Sequence, residues 1–146
     1  MKTKKVLFLL FVNLFIFASC KKEQGCMNSS ADNYSNEAEE DDGSCTFSGR
    51  AYFAYSYDDQ NNFEDDNIEN LELFVDNEFI GFQKTDVAIV KLGCGGSSNV
   101  TKTFNWAGSS SATKLLKVVD QATGLTIYSR EFTVYANNCT GVSIDY

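Results

Sequence analysis

Short apolar runs separated by polar turns follow one another from Ser48 to Tyr146, and this spacing constrains the fold more than any other feature. The runs are rich in β-branched and aromatic residues, and the chain has no proline, so its turns depend on Gly, Asn, Asp and Ser. No apolar pattern of helical period stands out in this segment. Such runs predict strands. The predicted strands are Arg50–Tyr57, Asn70–Val75, Glu78–Gln83, Val87–Lys91, Val100–Trp106, Thr113–Val119, Gly124–Ala136 in one or two pieces, and Gly141–Tyr146.

Alternation of apolar and polar residues supports several of these strands. Leu71, Leu73 and Val75 alternate with Glu72, so that one face of the strand is apolar. The pair Asp76-Asn77 separates two apolar runs, and both residue types tolerate positive φ, which predicts a tight hairpin. Seven or eight strands at this spacing are typical of an antiparallel sandwich.

The segment has 99 residues, the size of an immunoglobulin-like domain. Its loop Asp120–Gly124 predicts a longer hairpin that ends on glycine, which resembles hairpins in immunoglobulin-like and fibronectin-like domains of bacterial surface proteins. The predicted fold class is therefore all-β, an antiparallel immunoglobulin-like β-sandwich over residues 48–146. Trp106 is expected in its core.

The first 20 residues have the pattern of a secretory signal. Lys2, Lys4 and Lys5 precede the apolar run Val6–Phe17, which ends at small residues and a cysteine. The run has 12 residues, whereas a helix needs about 20 to cross a bilayer. A retained transmembrane anchor is not expected.

The end of this signal, Phe17-Ala18-Ser19-Cys20, resembles the lipobox of bacterial lipoproteins, with Phe where Leu is usual. The resemblance implies that residues 1–19 are removed and that Cys20 carries lipid, with residues 20–24 as a tether. The tract Lys21–Gln24 resembles an export signal to the outer face of the outer membrane, which implies a surface-exposed protein; a periplasmic orientation is the alternative. An ordinary signal peptide cut nearby is the alternative to lipidation.

Cysteine counting agrees with an anchor at Cys20. The chain has five cysteines, and four remain when this one is set aside, an even number for an oxidising compartment. Four cysteines allow three connectivities. Proximity and composition favour Cys26 with Cys45 and Cys94 with Cys139.

Composition excludes several functions. The chain has no histidine, which excludes Ser-His-Asp and Cys-His nucleophile pairs and histidine metal ligands. Carboxylate-pair catalysis needs no histidine, but the domain is small for a catalytic cleft, and we do not expect an enzyme. Three of the 12 basic residues lie in the first 19 positions, which leaves nine against 20 acids, a formal charge of −11. Nucleic acid is therefore not an expected partner.

Residues 25–47 form a short acidic module bounded by cysteines. Gly25-Cys26, Ala31-Asp32-Asn33-Tyr34 and Asp41-Asp42-Gly43-Ser44-Cys45 resemble a short repeat of secreted and surface bacterial proteins. The module has almost no aliphatic residues and cannot build a hydrophobic core, so a disulfide must be its main source of stability. Tyr34 is expected to pack over that disulfide. Between an anchor and a domain, the module is interpreted as a spacer.

Calcium is the one cofactor that the acids suggest. The module resembles Asp-rich calcium-binding extracellular repeats, which would make Asp41 and Asp42 ligands, although the EF-hand spacing is absent. A second acidic tract, Asp58–Asn67, is predicted to be a polar loop between strands. Its candidate ligands are Asp58, Asp59 and Asp65. Solvated acids are the alternative at both places.

A tyrosine-rich strand offers a candidate ligand surface. Tyr52, Tyr55 and Tyr57 lie close together in sequence, and exposed rings stack on sugars or on partner proteins. The alternative is a strand that is half core and half wet surface. The sequence thus predicts a secreted, lipid-anchored, non-catalytic binding or structural module. A carbohydrate-binding accessory lipoprotein and a calcium-dependent adhesion module are the alternatives.

Overall fold

The computed structural model describes residues 21–86, 93–95 and 99–146, and these residues are mostly in strands. The signal sequence with Cys20 and the predicted strand Val87–Lys91 lie outside the described residues. The elements are β1 (Gln24–Gly25), β2 (Glu40–Asp41), β3 (Thr46–Ala54), α1 (Tyr57–Asp65), β4 (Asn70–Val75), β5 (Glu78–Lys84), β6 (Thr101–Ala107), β7 (Ser111–Asp120), β8 (Thr126–Tyr135) and β9 (Cys139–Ser143).

Two sheets make up the β domain, which we define as residues 46–146. One sheet has the order β6-β3-β9 and the other β5-β4-β7-β8, while β1 and β2 pair separately. Most pairs are antiparallel, as predicted, but β3 and β9 run parallel, with Arg50 opposite Cys139. The pairing of β3 with β9 places the first strand of the domain beside its last.

The two sheets share one hydrophobic core. Alternate residues of β4 and β7 point inward, and Leu71, Leu73 and Leu116 are fully buried. From the other sheet Phe53 meets Phe132 edge to face, with ring centroids 5.7 Å apart. Burial of these side chains supplies the main stabilisation of the domain.

The helix α1 corrects the sequence analysis, which predicted a polar loop over Asp58–Asn67. Ser56 is its N-cap: the Ser56 hydroxyl accepts from the Asp59 N–H at 3.1 Å, and the Asp59 carboxylate accepts from the Ser56 N–H at 2.8 Å. This capping box stabilises the first turn. Phe63 is the single fully buried ring of the helix and packs edge to face on Tyr55. One apolar anchor in nine residues gives no helical period, so the pattern did not reveal the helix.

The cysteine-bounded module packs against one end of the β domain. Phe47 at the start of β3 shares a buried cluster with Cys26, Ala31 and Cys45, and stacks on Trp106 with centroids 6.2 Å apart. Trp106 is half-buried and contacts this cluster as well as the main core. The module and the β domain are therefore joined by packed side chains.

Hydrogen bonds reinforce this junction. The Asp32 N–H donates to the Thr46 carbonyl at 2.8 Å, and the Ser48 hydroxyl donates to the Asp32 carboxylate at 3.1 Å. The Asn137 amide donates to the Ser30 carbonyl at 2.9 Å. Tyr34, which was predicted to pack over the disulfide, forms an isolated parallel β-bridge with Cys26 and is 48% exposed, while Phe47 fills the buried cluster that contains both cysteines.

Candidate binding face

Both favoured disulfides are present. Cys26 bonds to Cys45, with Cα atoms 4.8 Å apart, and Cys94 bonds to Cys139, with Cα atoms 5.8 Å apart. The second bond attaches the connection between β5 and β6 to β9, and Arg50 donates to the Cys94 carbonyl at 3.2 Å. The two disulfides thus close the acidic module and attach Cys94 to β9.

The candidate calcium ligands lie in two separate places. Asp41 and Asp42 are in the module, at the start of β3, whereas Asp58, Asp59 and Asp65 are on α1, beyond the end of β3. The strand β3, nine residues and roughly 26 Å long, connects the two places. Within the described ranges, no group of three or more His, Cys, Asp or Glu side chains is placed to hold a metal ion.

Three of these aspartates already bind backbone groups. Asp41 accepts from the Gly43 N–H at 3.1 Å and Asp42 from the Ser44 N–H at 2.9 Å. Hydrogen bonds from Ser44 lower the pKa of Asp42. Burial raises the pKa of Asp59, but hydrogen bonds from Ser56 and from the Tyr146 N–H outweigh it and lower the pKa overall. These carboxylates stabilise turns and a helix end.

The three candidate tyrosines do not share a surface. Tyr55 is buried, and its hydroxyl donates to the Lys84 carbonyl at 2.5 Å. Burial, with a smaller contribution from the Asp86 charge, raises the pKa of Tyr55 to about 12. Tyr52 lies against Gly141 on the outer side of the three-stranded sheet, and Tyr57 is exposed at the start of α1. No flat platform arises from them.

A different aromatic cluster covers part of the outer side of the four-stranded sheet. Because Leu73 and Val75 point inward, Phe74 points outward, and its ladder partners are Phe79 on β5 and Lys117 on β7. We define the phenylalanine face as Phe74, Phe79, Phe82, Leu115 and Lys117.

The rings of this face touch one another and remain open to solvent. Phe79 lies 5.6 Å from Phe74 and 4.8 Å from Phe82 between centroids, at interplanar angles of 65° and 60°. Phe79 and Phe82 are 44% and 56% exposed, and Leu115 on β7 is 43% exposed. Contiguous exposed apolar surface of this kind marks an interaction site more often than single exposed residues do.

A β-bulge creates this face. Leu73 pairs with Gly81 but Phe74 pairs with Phe79, so Ile80 is an extra residue in β5 and packs against the core. Strict alternation would put Phe79 and Phe82, three positions apart, on opposite faces of the strand. The bulge turns both outward. Sequence reasoning missed the face because it predicted the strand Glu78–Gln83 without the bulge that decides which side chains point outward.

Lys117 gives the face a positive charge. Its ammonium lies 4.7 Å from the Phe74 ring centroid, within the range of a cation–π contact. Lys102 and Lys114 instead form ion pairs with Glu78 and Asp76, the second pair at 2.9 Å. None of the three ion pairs found among the described residues uses Lys117.

Two open clefts lie away from this face. One of about 310 Å³ is lined by the paired residues Asp76, Glu78, Lys102 and Lys114. The other, of about 300 Å³, lies near α1 and is lined by Glu64, Glu69, Lys84 and Asp86 among others. The first presents charges that already neutralise each other, and the second is mainly acidic.

Comparison of the chain with protein-family models, curated proteins and solved structures gives no match. Over the part of the chain that the structure describes, no helix combines the length and apolar character that crossing a membrane requires.

Proposed function

We propose that this protein is a secreted, lipid-anchored, non-catalytic binding module that contacts a protein partner through the phenylalanine face. The observation that carries the proposal is the exposed, mutually packed ring cluster of Phe74, Phe79 and Phe82 beside Lys117. Interface centres in protein complexes are enriched in such aromatic anchors.

The ring geometry favours a protein over a glycan. A sugar stacks on the flat side of a ring, so a glycan platform presents coplanar rings with polar groups beside them. Here neighbouring rings are tilted by 65° and 60°, which makes a projecting apolar cluster. Such a cluster fits an apolar pocket with an acidic group positioned for Lys117. Tyr55, which the glycan alternative needs at the surface, is buried.

Several features support the proposed export and anchoring. Cys26, Cys45, Cys94 and Cys139 are all used in disulfides, which belong to oxidising compartments. This leaves Cys20, after the signal-like segment, as the cysteine available for lipid. We propose that the chain is held at the bacterial outer membrane, on its outer face, and that the two sheets are an immunoglobulin-like sandwich.

Site-specific photo-crosslinking in intact cells tests the proposal. A photoreactive benzoylphenylalanine replaces Phe82 in the full chain, and in a matched control it replaces Tyr135, which is 52% exposed on β8. We expect a discrete protein adduct at position 82 that disappears when Phe79→Ser is added, and none at position 135. Absence of the adduct would overturn the proposal. So would binding to a glycan array that Phe82→Ser abolishes, in favour of the carbohydrate alternative.

A further inference from the structure

We infer that the partner of the phenylalanine face is a different protein held on the same membrane as this chain. The inference rests on the proposed function and adds where the partner is. It follows from the length of the tether, the attachment of the acidic module and the direction in which the face opens.

The tether is short. Only residues 21–23 separate Cys20 from β1. An extended chain spans about 3.5 Å per residue, so the Cα of Cys20 can lie at most about 14 Å from the Cα of Gln24. A lipid on Cys20 therefore holds the acidic module at the membrane surface.

The module cannot act as a flexible arm. Glu23 is already part of it, since its carbonyl accepts from the Glu39 N–H at 2.8 Å. The disulfide Cys26–Cys45 ends one residue before β3, and Phe47 buries itself in the module's own cluster. Anchor, module and β domain thus follow one another without a free linker, and the β domain keeps its module end near the membrane.

The phenylalanine face lies on the side of the β domain. Ser111 pairs with Tyr135 at the module end, where Ala136 packs against the module cluster. Lys117 is six residues further along β7, or about 20 Å. Side chains stand perpendicular to a sheet, so rings on its outer side point across the strands. With the strands leading away from the module, the face opens along the membrane surface.

This geometry favours a partner on the same membrane over a partner that is free in solution. The phenylalanine face opens along the membrane surface, and a protein held on the same membrane is confined to that surface. Confinement raises the effective concentration of such a protein near the face. A second copy of this chain is disfavoured, because each mature copy carries a formal charge of −11 and the copies repel. The partner chemistry is an apolar pocket with a carboxylate for Lys117.

The test separates location from binding. The full chain carries the photoreactive residue at position 82 and a specific protease cleavage sequence inserted after Lys22. Cells are irradiated, membranes are isolated and cleaved, and the suspension is sedimented. Two controls verify cleavage. Release of uncrosslinked β domain into the supernatant shows that the protease cuts the inserted sequence. A decrease in the mass of the adduct, equal to the lipid-bearing N-terminal piece, shows that the crosslinked protein was cut as well.

We expect the cut adduct to remain in the membrane pellet, held by its partner. Recovery of the cut adduct in the supernatant would overturn the inference while leaving the proposed binding face intact. An adduct with the mass of two copies of this chain would overturn the choice of a different protein. Failure to form any adduct would refute the proposed function itself.

Discussion

The ammonium of Lys117 lies 4.7 Å from the centroid of the Phe74 ring, across the ladder that pairs β4 with β7. This contact fixes a positive charge beside an exposed aromatic cluster on a protein that is otherwise strongly acidic. It links the fold to the proposed function, because the register that pairs the two residues also decides which rings face solvent.

The strength of that contact can be measured by a double-mutant cycle. Lys117→Met and Phe74→Leu, alone and together, should give a coupling energy of about 0.5–1 kcal/mol in urea unfolding, the usual value for a partly exposed cation–π pair. Lys117→Met combined with Tyr57→Leu is the control, since Tyr57 lies on α1. Equal coupling in both cycles would show that the Lys117–Phe74 contact has no specific energy.

Gly49 is predicted to be intolerant of any side chain. A Cβ at this position would come closer than 3.0 Å to the carbonyl oxygen of Tyr135, and it would also meet Trp106. Because a backbone atom cannot move aside cheaply, Gly49→Ala should lower the free energy of unfolding by about 1–3 kcal/mol. Gly95→Ala, whose added Cβ has no atom of the described residues within 4 Å, should leave the urea midpoint unchanged. A neutral Gly49→Ala would contradict this packing.

The Asp59 carboxylate should make stability depend on pH. Its pKa is lowered in the folded state, so its contribution is present above the unfolded pKa, near 4, and is lost as pH falls through the folded pKa. Urea unfolding of the wild type should therefore show a loss below about pH 4 that Asp59→Asn reduces.

Asp58→Asn is the matched control, because it removes the same charge from the same helix turn but leaves the Asp59 hydrogen bonds in place. The free energy of unfolding of Asp58→Asn should fall below about pH 4 as it does in the wild type. If Asp59→Asn and Asp58→Asn give the same profile, the capping box does not contribute to pH dependence.

Calcium is predicted not to stabilise the protein. Asp41, Asp42 and Asp59 already accept backbone hydrogen bonds, and the candidate ligands lie at opposite ends of β3. Calorimetry in millimolar calcium and in chelator should give the same Tm. A ligand that binds the native state raises Tm. A Tm that rises with calcium but not with magnesium would therefore contradict the prediction and show that the protein has a calcium site.

Strand positions were predictable because alternation is a local signal. Asn70–Val75 was predicted with its observed bounds, and the hairpin at Asp76-Asn77 is confirmed, with φ values of 50° and 67°. The strands β3 and β5 to β9 start and end within a few residues of their predicted limits, whereas β1 and β2 were not predicted. Both disulfides followed from counting and proximity.

Features that depend on tertiary contacts were not predictable. The α1 helix relies on a capping box and on one ring, Phe63, that stacks on Tyr146 from the other end of the chain, with centroids 4.6 Å apart. The phenylalanine face relies on one extra residue, Ile80, whose effect on side-chain direction appears only when β5 pairs with β4. In the first case a residue distant in sequence determines the local structure, and in the second the pairing of two neighbouring strands does.

A photo-crosslinking scan of the exposed apolar residues tests the central claim most directly. The photoreactive residue is placed, one position at a time, at each of Tyr57, Phe79, Phe82, Leu115, Leu125 and Tyr135, all at least 43% exposed. The account predicts one common protein adduct at Phe79, Phe82 and Leu115 and none at the other three positions. Equal adducts at all six positions, or adducts only outside the phenylalanine face, would contradict it.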